Sequence, residues 1–258
     1  MIDDLNALLH AELRYAYFNA RRTASEAAPT GIVLADSAEV PHVLDSGRPD
    51  NVYYNRAVVP PTCGCVAEVL DTLSAAVQAI ELLFPQQTET NFASLLNARF
   101  RPVSSLCYLE ATPSAVAGDS QRVVELGPDE RDEFFDLLEL SGVSYNRDRR
   151  NRTAGYYCTS QFRCFVAHAP DGKPAGWGTM FVDSGTAFLA NAFTLLQYRA
   201  SGIHSALLAA RLEAAHATGL KVAYTDVEPG SQSHRNCRRS GFDLLSVNSV
   251  WTRTRENQ

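Results

Sequence analysis

The sequence predicts a protein of the α+β or α/β class, in which buried strands alternate with amphipathic helices. In the stretch 187–219, an apolar run over 188–196 leads through a small-residue turn into a helical pattern. The apolar positions of that pattern are Ile203, Leu207, Leu208 and Leu212. Their spacing indicates one buried helix face, and Gly219 is placed to end the helix. Strand and helix patterns also alternate through the rest of the chain.

Composition limits the classes of protein to which the chain can belong. Of its 258 residues, 45% are hydrophobic and 20% are charged, as in a globular protein with an ample core. The formal net charge of -6 argues against general nucleic-acid binding or attraction to anionic membranes. No apolar run approaches the ~20 residues that span a bilayer, and the N-terminus lacks the basic region of a signal peptide. The six cysteines show no zinc spacing. We therefore expect a cytoplasmic protein with reduced thiols and no metal, whose oligomeric state stays open.

The N-terminal part of the chain is predicted to contain helices and strands in alternation. Apolar residues at helical spacing predict helices over 5–21, 66–84 and 91–99. Strands are predicted over 31–40, 51–59 and 103–109. Pro60 and Pro61 end the second of these strands, because proline lacks the N–H that a sheet requires.

The C-terminal part follows a small, polar stretch, 111–120, which is typical of a linker. Further strands are predicted over 121–126, 162–169, 174–182, 188–196, 221–226 and 243–252. Helices are predicted to begin at Pro128, Ile203 and Ser231. The arginine-rich stretch 144–156 is interpreted as a solvated loop, with contact to a phosphate or carboxylate as the functional alternative.

The turn that precedes Ile203 has the physical features of an anion site. The first N–H groups of a helix lack intrahelical acceptors, and the helix dipole adds partial positive charge there. Gly202 lets the backbone approach a bulky anion closely, and Arg199 and His204 can add side-chain donors. The turn therefore predicts a site for a diphosphate.

This turn resembles the acyl-CoA pyrophosphate loop of the GNAT (GCN5-related) N-acyltransferases, whose usual pattern is Gln/Arg-x-x-Gly-x-Gly/Ala. Arg199 and Gly202 match the pattern, whereas His204 replaces the small last residue and would either crowd the phosphate or donate to it. The order after the loop is similar too, with a strand, a short helix, Gly241-Phe242 and a final strand. The resemblance covers the chain from about residue 121 and implies a mixed central sheet flanked by helices.

A weaker form of the same order in the N-terminal part makes the chain resemble a tandem GNAT protein. Ala98-Arg99-Phe100 stands where the Gly-Phe pair usually falls. The corresponding loop, 60–65, has no arginine and two prolines without N–H groups, so a pyrophosphate should bind poorly there. The resemblance therefore implies a degenerate, non-catalytic GNAT-like domain over 1–115 and an acyl-CoA-binding catalytic domain over 116–258.

The resemblance also implies an acyl-CoA, most simply acetyl-CoA, as co-substrate. In the family the pantetheine arm bonds to the backbone of the central strand, which here implies Phe193, Thr194 and Leu195. The diphosphate would occupy the loop residues Arg199, Ala200, Ser201, Gly202, Ile203, His204 and Ser205. Asn236 is a further candidate for a hydrogen bond to CoA, with a capping role as its alternative.

Three residues are candidates for the acid and base of acyl transfer. Many GNAT enzymes place a general-acid tyrosine four residues before the closing Gly-Phe, a position that Cys237 holds here. A thiol of ordinary pKa ~8.5 can donate a proton, although a free cysteine more often fills a core. Asp226 and Glu228 follow the strand 221–226, and either can act as base or orient an ammonium group. Their structural alternatives are a turn cap and a solvated side chain.

The resemblance implies an N-acyltransferase whose acceptor is a small-molecule amine. A second hypothesis keeps the fold and takes the acyl or aminoacyl group from a carrier protein or an aminoacyl-tRNA. The net charge of -6 argues mildly against tRNA. A third hypothesis is a non-catalytic CoA-binding protein, which loss of the family tyrosine permits and which the intact Arg199 and Gly202 disfavour.

Overall fold

The computed structural model describes residues 2–83, 86–114, 122–143 and 146–254. The chain forms two compact units. The first unit comprises Met1–Tyr108 and Leu244–Gln258, and the second comprises Leu109–Asp243. The predicted boundary between residues 115 and 116 lies outside the described residues and stays a prediction.

Helices and strands alternate in both units, as the sequence predicts. The helices are α1 (Ile2–Arg22), α2 (Val66–Thr72), α3 (Glu89–Asn97), α4 (Arg131–Leu140), α5 (Arg147–Thr153), α6 (Ile203–Ala217) and α7 (Gln232–Arg239). The strands are β1 (Ile32–Ala35), β2 (His42–Asp45), β3 (Arg56–Val59), β4 (Ala79–Leu82), β5 (Phe100–Ala111), β6 (Val123–Leu126), β7 (Phe162–His168), β8 (Pro174–Asp183), β9 (Thr186–Phe188), β10 (Ala192–Thr194), β11 (Val222–Val227) and β12 (Asp243–Arg253).

The first unit contains a mixed sheet in which the last strand of the chain takes part. β1, β2 and β3 pair antiparallel in chain order, and β4 lies parallel to β3. β12 then pairs antiparallel with β4, with Trp251 opposite Ile80. Leu9 and Leu13 of α1 belong to one buried apolar cluster of this unit. Ile80, Phe100 and Trp251 belong to another, so the closing strand contributes to the core of the unit.

The predicted long helix over 66–84 is wrong, because the chain turns after α2 and continues as a strand. Leu73 has an extended backbone, and the Ser74 hydroxyl accepts a hydrogen bond from the Ala76 N–H at 3.2 Å. All four residues of β4 are buried. A short apolar run that is buried on both faces shows neither the alternation of a strand nor the spacing of a helix. The sequence therefore predicted that the preceding helix extends through it. The predicted strands over 31–40 and 51–59 are likewise only partly correct, since the structure forms three shorter strands there.

A buried network of charged side chains lies inside the first unit. The Arg56 guanidinium forms ion pairs with the carboxylates of Glu12 and Glu81, and all three side chains are buried. Tyr108 Oη donates to Glu81 Oε2 at 3.2 Å, and Asn248 Nδ2 lies 3.4 Å from the same oxygen. Burial by itself lowers the pKa of Arg56, but the two glutamates outweigh it and raise the pKa well above its ordinary value. Arg56 is therefore a cation at every accessible pH.

The second unit contains a mixed sheet with strand order β11-β9-β8-β7-β6. β9 pairs antiparallel with β8 on one side and parallel with β11 on the other. The strand predicted over 188–196 is interrupted, because Asn191 has φ 37° and separates β9 from β10. β10 pairs with β8, whereas the pairing with β11 ends near Phe188 and Tyr224. The sheet is therefore open between β10 and the end of β11.

The helices of the second unit cover this sheet and position the turn before Ile203. α6 packs on β7 and β8, and its buried face includes Leu207 and Leu212. The stretch interpreted as a solvated loop instead forms α5, whose N-terminus is capped by Asn146. Arg150 of α5 pairs with Asp136 and Glu139 of α4, which explains why an arginine-rich segment is ordered as a helix here. Ser144 and Tyr145 lie outside the described residues.

Candidate functional site

The turn before α6 has the backbone geometry of an anion site. The first intrahelical bond runs from the Ala206 N–H to the Gly202 carbonyl at 3.0 Å. The N–H groups of Ile203, His204 and Ser205 thus precede the helical ladder and have no intrahelical acceptor. Gly202 caps the helix with φ 81°, in the left-handed region that favours glycine. α6 has 15 residues, long enough for its dipole to favour an anion at this end.

A cavity of about 600 Å³ opens on this turn. Its lining comprises Ala192, Phe193, Thr194, Tyr198, Arg199, Ala200, Gly202, Ile203, His204, Ser205, Gln232, Ser233, Asn236 and Arg239. Arg199 and Arg239 are exposed and add two cations to its wall. A third cation lies beside the turn, where Arg122 Nη2 donates to the Ser201 carbonyl at 3.1 Å. The cavity therefore suits a ligand that carries phosphates at one end.

A second cavity, of about 230 Å³, lies where β10 and β11 diverge. Its lining comprises Leu189, Asn191, Ala192, His204, Leu208, Arg211, Thr225, Asp226, Ser233 and Cys237. Ala192, His204 and Ser233 line both cavities, which therefore adjoin each other. A long ligand bound by its phosphates at α6 can extend its other end into this smaller cavity.

His204 is a neutral imidazole held in one tautomer between the two cavities. Its Nδ1 lies 3.3 Å from Asn236 Nδ2, and its Nε2 lies 3.5 Å from Ser233 Oγ. Gln232 donates to Asn236 Oδ1 at 2.8 Å, which turns the amide nitrogen of Asn236 toward the ring. Because that nitrogen only donates, Nδ1 accepts and the proton resides on Nε2. Burial, with a contribution from the charge of Arg211, lowers the pKa of His204 to about 4.

Cys237 is buried at the wall of the smaller cavity and is a thiol at neutral pH. Burial raises the pKa of Cys237, while the charge of Arg211 and a hydrogen bond from Ser233 oppose that rise. A group that keeps its proton at the working pH is fitted to give it to a leaving thiolate. It is not fitted to act as a base.

The predicted site residues fall into two groups in the structure. Nine of the predicted donor-binding residues line the larger cavity: Phe193, Thr194, Arg199, Ala200, Gly202, Ile203, His204, Ser205 and Asn236. Leu195 and Ser201 are outside that lining, and the Leu195 N–H already donates to the Ala175 carbonyl at 2.9 Å. Asp226 and Cys237 line the smaller cavity, whereas Glu228 is exposed and lines neither of the two.

Several residues of the two cavities were missed by the sequence analysis. Arg211 had a usable signal, because it is a charged residue on the apolar face that Leu207, Leu208 and Leu212 define. Ser233 and Arg239 lie on α7, where the sequence indicated Asn236 and Cys237 as site residues but not these two. Arg122 is separated from the turn by 79 residues, and no local pattern relates the two. Within the described residues, no group of three His, Cys, Asp or Glu side chains is arranged to hold a metal, and no helix is long and apolar enough to cross a bilayer.

The depressed pKa of His204 predicts a loss of stability in mild acid. The folded pKa of about 4 lies below the ordinary value of 6.5, so between these values the unfolded chain binds more protons. The free energy of unfolding of the second unit should therefore fall as the pH is lowered from 6.5 toward 4. His204→Gln should reduce this dependence. Urea unfolding at pH 7 and pH 5, followed by Trp177 fluorescence in a Trp251→Phe background, measures it. Equal pH dependence in both proteins would contradict a desolvated imidazole.

No family model and no curated protein sequence matches the chain. Several solved structures, however, are similar to the structure of this chain. A GCN5-related N-acetyltransferase from Kribbella flavida is 15% identical, with a TM-score of 0.59, and the match covers 95% of this chain and 96% of that one. A tandem GNAT protein from the clavulanic acid biosynthesis pathway is 14% identical, with a TM-score of 0.51, and the match covers 96% and 97% of the two chains. A conserved protein of unknown function from Staphylococcus epidermidis ATCC 12228 is 10% identical, with a TM-score of 0.59, over 90% and 98%.

These matches define the class of fold. The chain has the GNAT fold, a mixed α and β architecture shared with GCN5-related N-acetyltransferases, and the predicted fold class is confirmed. One of the similar structures is a tandem GNAT protein that matches nearly the whole chain.

Proposed function

We propose that the protein is an acyl-CoA-dependent N-acyltransferase that modifies the amine of a small molecule. The observation that carries this proposal is the turn before α6. A cavity of about 600 Å³ opens on this turn. The turn presents N–H groups without intrahelical acceptors, the left-handed Gly202 and nearby arginines. This combination fits the diphosphate and pantetheine of an acyl-CoA, with acetyl-CoA as the simplest donor.

The second unit supplies groups for each proton movement in the reaction. The amine nitrogen attacks the thioester carbonyl carbon, the C–N bond forms, the C–S bond breaks, and the thiolate takes up a proton. Asp226 lines the smaller cavity, where its carboxylate orients the ammonium group and accepts its proton directly or through water. Cys237 gives a proton to the leaving thiolate and regains one from solvent. Ser233 and His204 connect Cys237 to the larger cavity by hydrogen bonds.

The first unit is proposed to be a GNAT-like half that does not bind the donor. Its cavity near the start of α2 has a volume of about 330 Å³ and is lined by Glu39, Glu68 and Cys63. Two glutamates oppose a diphosphate, and no arginine lines this cavity among the described residues. We therefore assign the donor site to the second unit.

Calorimetric titration with acetyl-CoA, followed by an amine screen read out by mass spectrometry, tests the proposal. We expect micromolar binding and formation of an acylated amine in an enzyme-dependent manner. Binding without turnover of any amine would favour a CoA-binding protein instead. Absence of binding by acetyl-CoA, by the other CoA thioesters and by CoA itself would refute the acyl-CoA proposal and favour a carrier-protein or aminoacyl-tRNA donor.

The assignment of Cys237 predicts a change in turnover without a change in donor affinity. Cys237→Ala should lower kcat about tenfold, because a thiol leaving group of pKa ~8.5 needs only modest protonation. Cys237→Ser should restore part of that activity, and the KM for acetyl-CoA should stay unchanged in both variants. Steady-state kinetics between pH 6 and 9 measures this. An unchanged kcat in Cys237→Ala would contradict the proton-donor role and show that the thiol only packs in the core.

A further inference from the structure

Arg211 is a buried cation on the inner face of the second unit, and its hydrogen-bond acceptors are all backbone carbonyls. Its side chain is on the inner face of α6, and the residue is only 1% exposed. Nε donates to the Leu207 carbonyl at 2.9 Å, and Nη1 lies 3.1 Å from the Thr179 carbonyl and 3.4 Å from the Ala190 carbonyl. All these acceptors are neutral. In the part of the chain that the structure describes, no carboxylate forms an ion pair with Arg211.

A guanidinium in this position is energetically costly unless an anion joins it. Burial lowers the pKa of Arg211 to about 10, so the group still carries its charge at neutral pH. Cys237 is the acidic side chain that acts on Arg211, but it is a thiol at that pH. Breaking a buried pair, or leaving a buried charge unpaired, costs several kcal/mol. The cavity therefore favours a ligand that brings a negative charge.

The guanidinium is positioned to meet such a ligand. Arg211 lines the smaller cavity, and its guanidinium lies against Gly178, where a Cβ would come within 3.2 Å of Cζ. Because Gly178 has no side chain, the guanidinium of Arg211 can lie directly against the backbone of β8. Nε and Nη1 are used by carbonyls, whereas Nη2 has no hydrogen-bond partner among the described residues. Nη2 is thus the donor that remains for a ligand.

The two cavities together set the order of groups along a bound donor. The larger cavity starts at the turn before α6, and the smaller one adjoins it through Ala192, His204 and Ser233. A donor held by its phosphates at α6 therefore brings its acyl end toward Arg211. Asp226 is at the exposed side of the smaller cavity, where it attracts the amine of the acceptor and not a second anion.

We propose that the smaller cavity binds a carboxylate at the far end of the donor's acyl group, with Arg211 as its cation. The preferred donors are then acyl-CoA thioesters of short dicarboxylic acids, such as malonyl-CoA or succinyl-CoA. Arg211 acts as the specificity-determining residue, since a guanidinium bonds a carboxylate through charge-assisted hydrogen bonds. This inference rests on the proposed acyl-CoA-dependent function.

Calorimetry with a matched series of thioesters tests the inference on the unmodified protein. Succinyl-CoA and butyryl-CoA have acyl chains of the same length and differ in the terminal carboxylate. We expect succinyl-CoA to bind at least tenfold more tightly than butyryl-CoA, with no acceptor present. Equal or weaker binding of succinyl-CoA would overturn the inference while leaving the proposed function intact. Failure of CoA and of every thioester to bind would refute the proposed function, and the inference with it.

Variants of Arg211 test whether this residue causes the preference for succinyl-CoA over butyryl-CoA. Arg211→Gln should remove the difference between succinyl-CoA and butyryl-CoA, whereas Arg211→Lys should retain part of it. Affinity for CoA without an acyl group should stay within about threefold of the wild type in both, which verifies that the variants remain folded. Arg163→Gln is the matched control, because Arg163 pairs with Glu125 and lines neither cavity of the site. A preference that survives Arg211→Gln would overturn the inference.

The same series of thioesters and variants distinguishes whether the carboxylate that binds Arg211 belongs to the donor or to the acceptor. If the acceptor supplied it, the thioesters would bind equally, and Arg211→Gln would raise the KM of a carboxylated amine. That result would overturn the assignment to the donor. A preference for succinyl-CoA measured without acceptor assigns the carboxylate to the donor.

Discussion

Replacing Gly202 with aspartate is expected to weaken acetyl-CoA binding by at least about 100-fold, or about 2.8 kcal/mol at 1.4 kcal/mol per tenfold change. The new carboxylate would stand at the N-terminus of α6, where the proposed diphosphate binds. It would oppose the phosphates and itself occupy the N–H groups of the first turn. The effect is expected on affinity for every CoA thioester and for CoA itself. Calorimetry measures it directly.

Backbone strain contributes less than charge at this position. Gly202 has φ 81°, and a Cβ would come within 2.9 Å of Arg122 Nη2. That atom is the end of a flexible side chain, which can move at little cost. Asparagine has nearly the shape of aspartate and tolerates left-handed backbone. Gly202→Asn should therefore bind acetyl-CoA far better than Gly202→Asp.

Gly219→Asp is the matched control for a new charge on the same helix. Gly219 follows α6 at its other end, has φ 74°, and has open space where a Cβ would stand. This variant should keep the affinity of the wild type for acetyl-CoA. If Gly202→Asp bound acetyl-CoA as tightly as Gly219→Asp does, the turn before α6 would not be the diphosphate site.

Removing the cation of the buried network should destabilise the first unit severely. Arg56→Met leaves Glu12 and Glu81 buried with their counter-ion removed, and we expect a loss of about 3–5 kcal/mol. The two tryptophans allow each unit to be followed separately, since Trp251 lies in the first and Trp177 in the second. Urea unfolding monitored by Trp251 in a Trp177→Phe background measures the change.

The loss should depend on pH in a direction that identifies its cause. Without Arg56, burial would raise the folded-state pKa of the glutamates above their ordinary value of ~4.3. A raised folded pKa means that stability is present at low pH and is lost as the pH rises. The difference between Arg56→Met and the wild type should therefore be largest at pH 7 and shrink toward pH 4.

Replacement of the whole network is the control for packing. The combination of Arg56→Met, Glu12→Leu and Glu81→Leu removes all three charges together, and its stability should approach that of the wild type. If it were as unstable as Arg56→Met alone, lost packing and not unpaired charge would explain the effect.

The sequence was most informative where local patterns coincide with function. Arg199 and Gly202 identified the turn before α6, because helix-start chemistry is local and a left-handed glycine has few substitutes. The closing helix, Gly241-Phe242 and the final strand were predicted for the same reason. The order of elements and the GNAT fold followed from these few residues.

Local sequence patterns could not predict contacts between distant segments or strands that are buried on both faces. The apolar run 77–83 was predicted as helix, since burial on both faces removes the alternation that marks a strand. The interruption at Asn191 divides a run that reads as continuous in the sequence. The smaller cavity depends on that interruption, so its lining by Arg211 and Ser233 could not be derived from either segment alone. Arg122 reaches the turn from 79 residues away, and only the folded chain relates them.

The position of β12 determines the order in which the chain can fold during synthesis. β4 needs β12 as its second partner, beside β3, yet Asn248 lies 167 residues after Glu81 along the chain. The second unit is a continuous segment and can form as soon as its last residues leave the ribosome. The first unit, although it is translated first, must wait with one edge of β4 unpaired until β12 emerges, since β3 covers only the other edge. A nascent chain in this state leaves one edge of a largely apolar strand open for most of its translation, and we expect chaperones that bind such strand edges to associate with it.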